Sequence, residues 1–295
     1  ECDIDIAVVE VGMGGRLDAT NVVTPLVSVI TNVSRDHEKI LGRGVRAVAG
    51  EKGGIVKSGV PLVTAARGVA LDVLKSACER RGAPLYINGA DFTVKGEGDG
   101  FVFVSDASTH TGLCNSLTGS HQLLNAACAL MTVELLGEKG YAVSAGSMKR
   151  GLASVRWSGR MEVVGREPTV VIDCAHNSAG AEALRSGLAG LPHKRLFLVI
   201  GIMADKDIGG IASRLVPIAD HIIVTMACTE RAAALETLYK GFQSYGKPVE
   251  MVAGVARACE AALLLANADD LVCVAGSLHT AGEARGYLMD DRVRG

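Results

Sequence analysis

The stretch TVVIDCAHN, residues 169–177, decides the fold. Four apolar or β-branched residues in a row, with no polar alternation, read as a short strand covered on both faces. The run breaks on an acid, Asp173, and His176 and Asn177 follow within the same turn. Asn is a favoured helix N-cap, and a helical pattern begins directly after it. Three further runs repeat this design: RLFLVIG (195–201), HIIVTMA (221–227) and DDLVCVAG (269–276). Helical stretches separate them. Buried strands alternating with helices predict a parallel, doubly wound, Rossmann-like α/β domain, with ligands bound beyond the carboxyl ends of its strands.

The same rhythm runs through the first half. IDIAVVE (4–10), LVSVIT (26–31) and VPLVT (60–64) read as strands, with helices over 45–57 and 69–81. Residues 86–104, with KGEGDG in their midst, read as an antiparallel hairpin. Helices follow over 121–136 and 144–155. The fold class is therefore α/β: a mostly parallel sheet in residues 1–156, then a Rossmann-like domain over 157–295. Because its first strand opens the sequence, the first sheet reads as incomplete at its start.

The composition excludes several function classes. Thirty basic against thirty-two acidic residues give a net charge of -2, and aromatics are 4%. Neither an anionic backbone nor stacked bases are the expected partners, so no nucleic acid is expected. No apolar stretch approaches the ~20 residues of a membrane span. The eight cysteines are scattered without a C-x-x-C pair, as fits small core hydrophobes in a reducing, cytoplasmic compartment.

Two glycine clusters invite a phosphate reading and resist it. Gly12-Met13-Gly14-Gly15 lacks the third glycine of a dinucleotide fingerprint, because Leu17 stands there, and reads instead as a loop allowing close backbone approach. Gly241 to Lys247 spaces its glycines like a phosphate loop, but Pro248 replaces the Ser/Thr, a helix precedes it and a strand follows. A helix end and turn fits better. Glu10 and His37 each fall at or just past a predicted strand end. Either alone reads as a capping or hydrogen-bonded group; two on one sheet edge point to a metal or phosphate site. Asp205 and Asp207 end the strand at 195–201, a second charged rim.

In order, EVGMGGRLDATNVV, DHEKILG, EKGGIVK, GSHQLLNAACAL, WSGR, DCAHN and DKD resemble the folylpolyglutamate synthase and dihydrofolate synthase family, within the Mur ligase superfamily. The resemblance covers essentially the whole chain. It implies a central ATPase domain, a C-terminal Rossmann-like domain and nucleotide lying between them. The activity implied is ATP-dependent addition of L-glutamate to dihydropteroate or a reduced folate through an acyl phosphate. The cofactors implied are ATP and Mg²⁺, and the partners are these small molecules, with no membrane and no further subunit. Glu10 and His37 match Mg²⁺ ligands, and Lys52 a carbamoylated lysine. Leu17, Asp18 and Ala19 match a pterin-contacting loop. Asn125, Arg160, Asp173 and His176 match nucleotide contacts, Arg160 neutralising phosphate charge and Asp173 accepting from a ribose hydroxyl, and Lys52 and His176 match catalytic residues.

The departures are specific. Ser158 replaces the family's Pro, Cys174 and Gly53 its Gly and Ala, and Gly44 its common Thr. The family's G-T-x-G-K-[ST] phosphate loop does not occur, and its place in the family would precede residue 1. The chain is thus expected to be an inactive part of a ligase. Another amide ligase of the superfamily, or a non-catalytic nucleotide-binding remnant, are the alternatives.

Overall fold

A computed structural model describes residues 4–98, 100–117 and 119–290. The chain divides into two compact units, Glu1–Ser116 with Gln122–Ser154, and Leu117–His121 with Val155–Gly295.

The first unit opens with a 3₁₀ turn, Ala19–Val22, then β1 (Ser28–Ile30), α1 (Glu38–Leu41) and α2 (Val45–Lys52). A second 3₁₀ turn, Gly53–Ile55, leads to β2 (Leu62–Thr64), α3 (Gly68–Arg81) and β3 (Leu85–Ile87). The strands pair parallel in the order β1-β2-β3, with Val29 beside Val63 and Val63 beside Tyr86. Leu62, Ala70 and Leu74 are buried between this sheet and its helices. Helix α3 stops at Gly82, whose φ of 56° an L side chain rarely adopts; its N–H closes on the Cys78 and Glu79 carbonyls.

An antiparallel sheet of β4 (Phe92–Glu97), β5 (Gly100–Ser105) and β6 (Thr109–Leu113) follows, then α4 (Ser120–Glu138) and α5 (Ala145–Ser154). The expected hairpin is β4–β5. The third strand, THTGL, carries too few apolar residues to announce itself. Phe92, Phe101 and Phe103 fill the core beside Leu135 of α4.

The predicted strand at residues 4–10 does not form. These residues run without regular structure, and Val8 is 98% exposed. Strand propensity alone does not make a strand: without a ladder partner its amides and apolar side chains stay in water. Among the described residues the sheet begins at β1.

The second unit holds β7 (Glu162–Arg166), β8 (Thr169–Ile172), α6 (Ser178–Leu188), β9 (Leu196–Ile200), α7 (Ile208–Leu215), β10 (His221–Val224), α8 (Leu235–Gln243), β11 (Val249–Met251), α9 (Val255–Leu265), β12 (Leu271–Ala275) and α10 (Leu278–Met289). The six-stranded order is β11-β10-β9-β12-β8-β7, parallel except for β7 against β8. Residues along each strand alternate between two cores. Leu198, Ile200 and Cys273 pack with α6, α7 and α8, while Phe197, Val199 and Val272 pack with α9 and α10. Both faces are covered, which is why the strands read as unbroken apolar runs.

Helix α8 ends at Gln243, and Gly246, at φ 71°, turns the chain into β11, so the Gly241 to Lys247 string is a helix exit. Cys78, Cys128, Cys174, Cys259 and Cys273 are buried. Burial pushes the Cys128 and Cys259 thiols up to about 12, leaving them inert. No helix among the described residues is long and apolar enough to cross a membrane.

Candidate nucleotide and substrate sites

In the second unit, β8 is held on both sides, by β12 through Val274 opposite Ile172 and by β7 through Glu162 opposite Ile172. The chain leaves this ladder at Asp173, whose N–H donates to the Val274 carbonyl at 2.9 Å. The Asp173 carboxylate is 7% exposed and accepts two amides: Met161 N–H at 2.9 Å on Oδ2 and Ala175 N–H at 2.7 Å on Oδ1. Burial pushes this carboxyl up, while the two amides, Arg160 and His121 hold it down.

The WSGR segment folds onto this turn. Gly159 donates to Glu162 Oε2 at 2.8 Å, and its carbonyl accepts Cys174 N–H at 2.8 Å. A Cβ on Gly159 would lie 2.6 Å from Cys174 Sγ, and its φ is 70°, so glycine is required twice over. The Arg285 guanidinium braces Glu162 at 3.0 Å. Met161 sits at φ 47°, an uncommon conformation for a residue with a side chain, and is buried. The result leaves Trp157 and Arg160 exposed, with the Arg160 charge acting on Asp173.

His176 Nδ1 lies 2.9 Å from the Cys174 carbonyl, and Asn177 Oδ1 accepts Gly180 N–H at 2.8 Å, capping α6. At the next strand end, Asp207 caps α7 through Gly210 N–H, and Asp205 pairs with Arg231 at 3.3 Å. The backbones beyond β9 and β12 approach closely. A Cβ on Gly276 would fall 2.6 Å from the Gly201 carbonyl, and that same carbonyl accepts the buried Thr280 hydroxyl at 2.8 Å. An open cleft of about 460 Å³ lies at the ends of β10 and β11, with Met226, Cys228, Arg257 and Glu283 in its walls.

In the first unit the glycine loop docks on α2. A Cβ on Gly15 would meet the Glu51 carbonyl at 2.8 Å, and one on Gly54 would meet Arg16 Cα at 2.5 Å. Arg16 N–H donates to that Glu51 carbonyl at 2.8 Å, and its guanidinium pairs with the Glu51 carboxylate at 2.8 Å. Asp18 caps the first 3₁₀ turn. It accepts from Thr20 Oγ1 at 2.6 Å, Met13 N–H at 2.9 Å and Thr20 N–H at 3.0 Å, and these bonds hold its carboxyl down to about 2. Leu17 and Ala19, on either side, are exposed. Asp18 therefore shapes the loop, and its two neighbours present it.

Lys52 is the half-buried last residue of α2. His37 begins α1 at φ 51°, with Nε2 3.8 Å from Asp36. Glu10 is exposed on irregular chain, and Asn125 is exposed on α4, donating to Gln122 Oε1 at 3.0 Å. Among the described residues no three His, Cys, Asp or Glu side chains gather as a metal cage.

The Mur ligase, glutamate ligase domain model matches residues 159–278. A probable bifunctional folylpolyglutamate synthase/dihydropteroate synthase of Halobacterium salinarum is 36% identical over 96% of this chain, which spans 35% of that protein. The Mycobacterium tuberculosis folylpolyglutamate synthase, solved with ADP and AMPPCP, superposes with a TM-score of 0.89 at 33% identity, over 98% of this chain and 69% of that one. The chain belongs to the folylpolyglutamate synthase/dihydrofolate synthase family. A further solved member, the bifunctional enzyme of Yersinia pestis with AMPPNP and a Mn ion, superposes at 0.85 with 28% identity, over 94% of this chain and 65% of that one. Within this family framework the sequence reading passed over Glu162, Arg285, Thr280 and His121. His121 lies in the quoted GSHQ string; burial lowers its pKa, which Asp173 raises and Arg160 lowers. Arg285 reaches the Glu162 carboxylate, which holds Gly159 N–H, and Thr280 reaches the Gly201 carbonyl, both across long sequence separations that no local pattern signals.

Proposed function

We propose that this chain serves an ATP-dependent carbon–nitrogen ligase that joins L-glutamate to dihydropteroate or a reduced folate through an acyl phosphate. The observation that carries the reading is the Asp173 turn, which holds an exposed arginine at the carboxyl edge of a doubly wound sheet. In this reading Arg160 neutralises nucleotide phosphate, and His176 and Asn125 contact the nucleotide. Leu17 and Ala19 meet the pterin, with Asp18 fixing their loop.

Mg²⁺ takes one or two protein ligands beside phosphate oxygens and water, so a complete protein cage is not required. The exposed Glu10 carboxylate suits such a hard ion, and His37 is its proposed companion. When bound, the ion neutralises charge developing on the transferring phosphoryl group. Lys52, half-buried, is proposed to carry a carbamate, which converts an ammonium to an anion. Incubation with ¹³C-bicarbonate should give a carbamate carbonyl signal that Lys52→Ala abolishes; its persistence in that variant would remove the assignment.

Trp157 is the sole tryptophan and adjoins the proposed phosphate residue, so its fluorescence reports nucleotide directly. Titration of the 295-residue chain with ADP should give a saturable change, weakened about tenfold or more in Arg160→Ala, as loss of a charge-assisted bond implies. No saturable response to ADP, or an Arg160→Ala response equal to wild type, would overturn the nucleotide reading.

A further inference from the structure

We infer that Asp173 is a positioning residue: its carboxylate serves by clamping the backbone that aims Arg160, and a ribose contact is not its main contribution. This rests on the nucleotide reading above and deepens it. Each Asp173 oxygen is already engaged by an amide, Met161 N–H at 2.9 Å and Ala175 N–H at 2.7 Å, and the group is 7% exposed. Buried carboxylates are costly unless such donors are fixed on them. The Met161 bond is the informative one, because Met161 directly follows Arg160 and is held at φ 47°. A residue held there needs its surroundings to fix it.

The surroundings do so from several sides. Cys174, next to Asp173, donates its N–H to Gly159, next to Arg160, at 2.8 Å. Glu162 takes the Gly159 N–H at 2.8 Å and is braced by Arg285. Residues 159–162 are thus tied to residues 173–175 by two bonds and to α10 by a third link. Arg160, at the crest, is the one member of this set whose side chain faces solvent and whose charge reaches Asp173, Cys174 and His121. Replacing the carboxylate with an amide puts an NH₂ against at least one backbone N–H, so Asp173→Asn releases the clamp at nearly constant volume.

The test has two arms. Without ligand, amide exchange at Met161 should be slow in wild type and accelerate about tenfold or more in Asp173→Asn, the scale of one lost bond to a charged group. Unchanged exchange would overturn the clamp. With ligand, Trp157 fluorescence or amide shifts are followed for ADP and for adenosine. A positioning role predicts that Asp173→Asn weakens ADP about tenfold, leaves adenosine unchanged, and adds little to Arg160→Ala in the double variant. Equal loss for adenosine and ADP would mark a ribose contact and overturn the inference; so would additivity with Arg160→Ala. Thermal unfolding checks that each variant is folded at the assay temperature. Should Asp173→Asn fail to fold, Gly159→Ala perturbs the same segment through Cys174 Sγ without touching the carboxylate. It should show the same ADP-specific loss, and an unchanged ADP affinity would overturn the inference. Absence of any ADP response in wild type counts against the nucleotide reading alone, since the exchange arm decides the clamp independently.

Discussion

The two units place charged residues after apolar runs in the same way on paper, yet they support them differently. In the second unit Asp173 leaves a strand laddered on both sides, and five more strands and two helix layers stand behind it. In the first unit Glu10 follows a run of equal apolarity that is laddered on neither side, and its side chain is exposed. A side chain is fixed by what fixes its backbone. Where the ladder is absent, the first unit relies on a different device: a glycine loop laid on α2 through Gly15 and Gly54 and stapled by Arg16 to Glu51.

The largest expected contrast is autonomy. Residues 157–295, expressed alone, are expected to unfold in one cooperative transition by circular dichroism, because β7 to β12 close their own two cores. A non-cooperative melt would show that the six-stranded sheet depends on the other unit, and the comparison would fail.

A smaller effect probes the glycine loop. Gly54→Ala puts a methyl 2.5 Å from Arg16 Cα and 2.8 Å from Arg16 N, backbone atoms where no flexible tip can move aside. The expected cost is about 1–3 kcal/mol, the range for forced overpacking. Amide exchange in residues 11–18 should rise while that of residues 169–177 stays unchanged. Equal protection in the variant would mean that the loop is not held by this close approach.

The comparison also explains what was legible in the sequence. TVVIDCAHN could be read correctly because burial on both faces leaves a pattern in consecutive residues, and Asn177 capped its helix as its position suggested. IDIAVVE carries the same pattern and forms no strand, because pairing is a property of the neighbouring chain and not of the segment. THTGL has no pattern and is a strand, because β5 supplies its ladder. Within the candidate sites, residue types and the strand end at Asp173 were readable, whereas the strand expected to end at Glu10 does not form. The clamp was not: Met161 and Asp173 are 12 apart, and Glu162 and Arg285 are 123 apart. Only the folded backbone brings them together.

The smallest effect separates the two aspartates by sign. Asp18 is held down to about 2 from an ordinary 3.8, by Thr20 Oγ1 first and then the Met13 and Thr20 amides. Its contribution to stability is present above pH 3.8 and is lost as pH falls through about 2. Asp173 is pushed the other way by burial, so folding takes up protons at that site, and its contribution weakens as pH rises above 3.8. Asp18→Asn should therefore melt below wild type at neutral pH, with the gap closing as acid protonates the wild-type carboxyl. Asp173→Asn should show the reverse trend, the gap from wild type narrowing as pH rises above 3.8 and the buried wild-type carboxyl ionises. Because Asp18 faces water, its gap should also shrink in high salt far less than a simple ion pair would, since its partners are a hydroxyl and amides and not a counter-charge. Melting curves of both variants from pH 2 to 7 decide the matter. Parallel trends in the two would show that loop carboxylate and clamp carboxylate are held by the same physics, and the contrast between the units would reduce to the number of strands behind each.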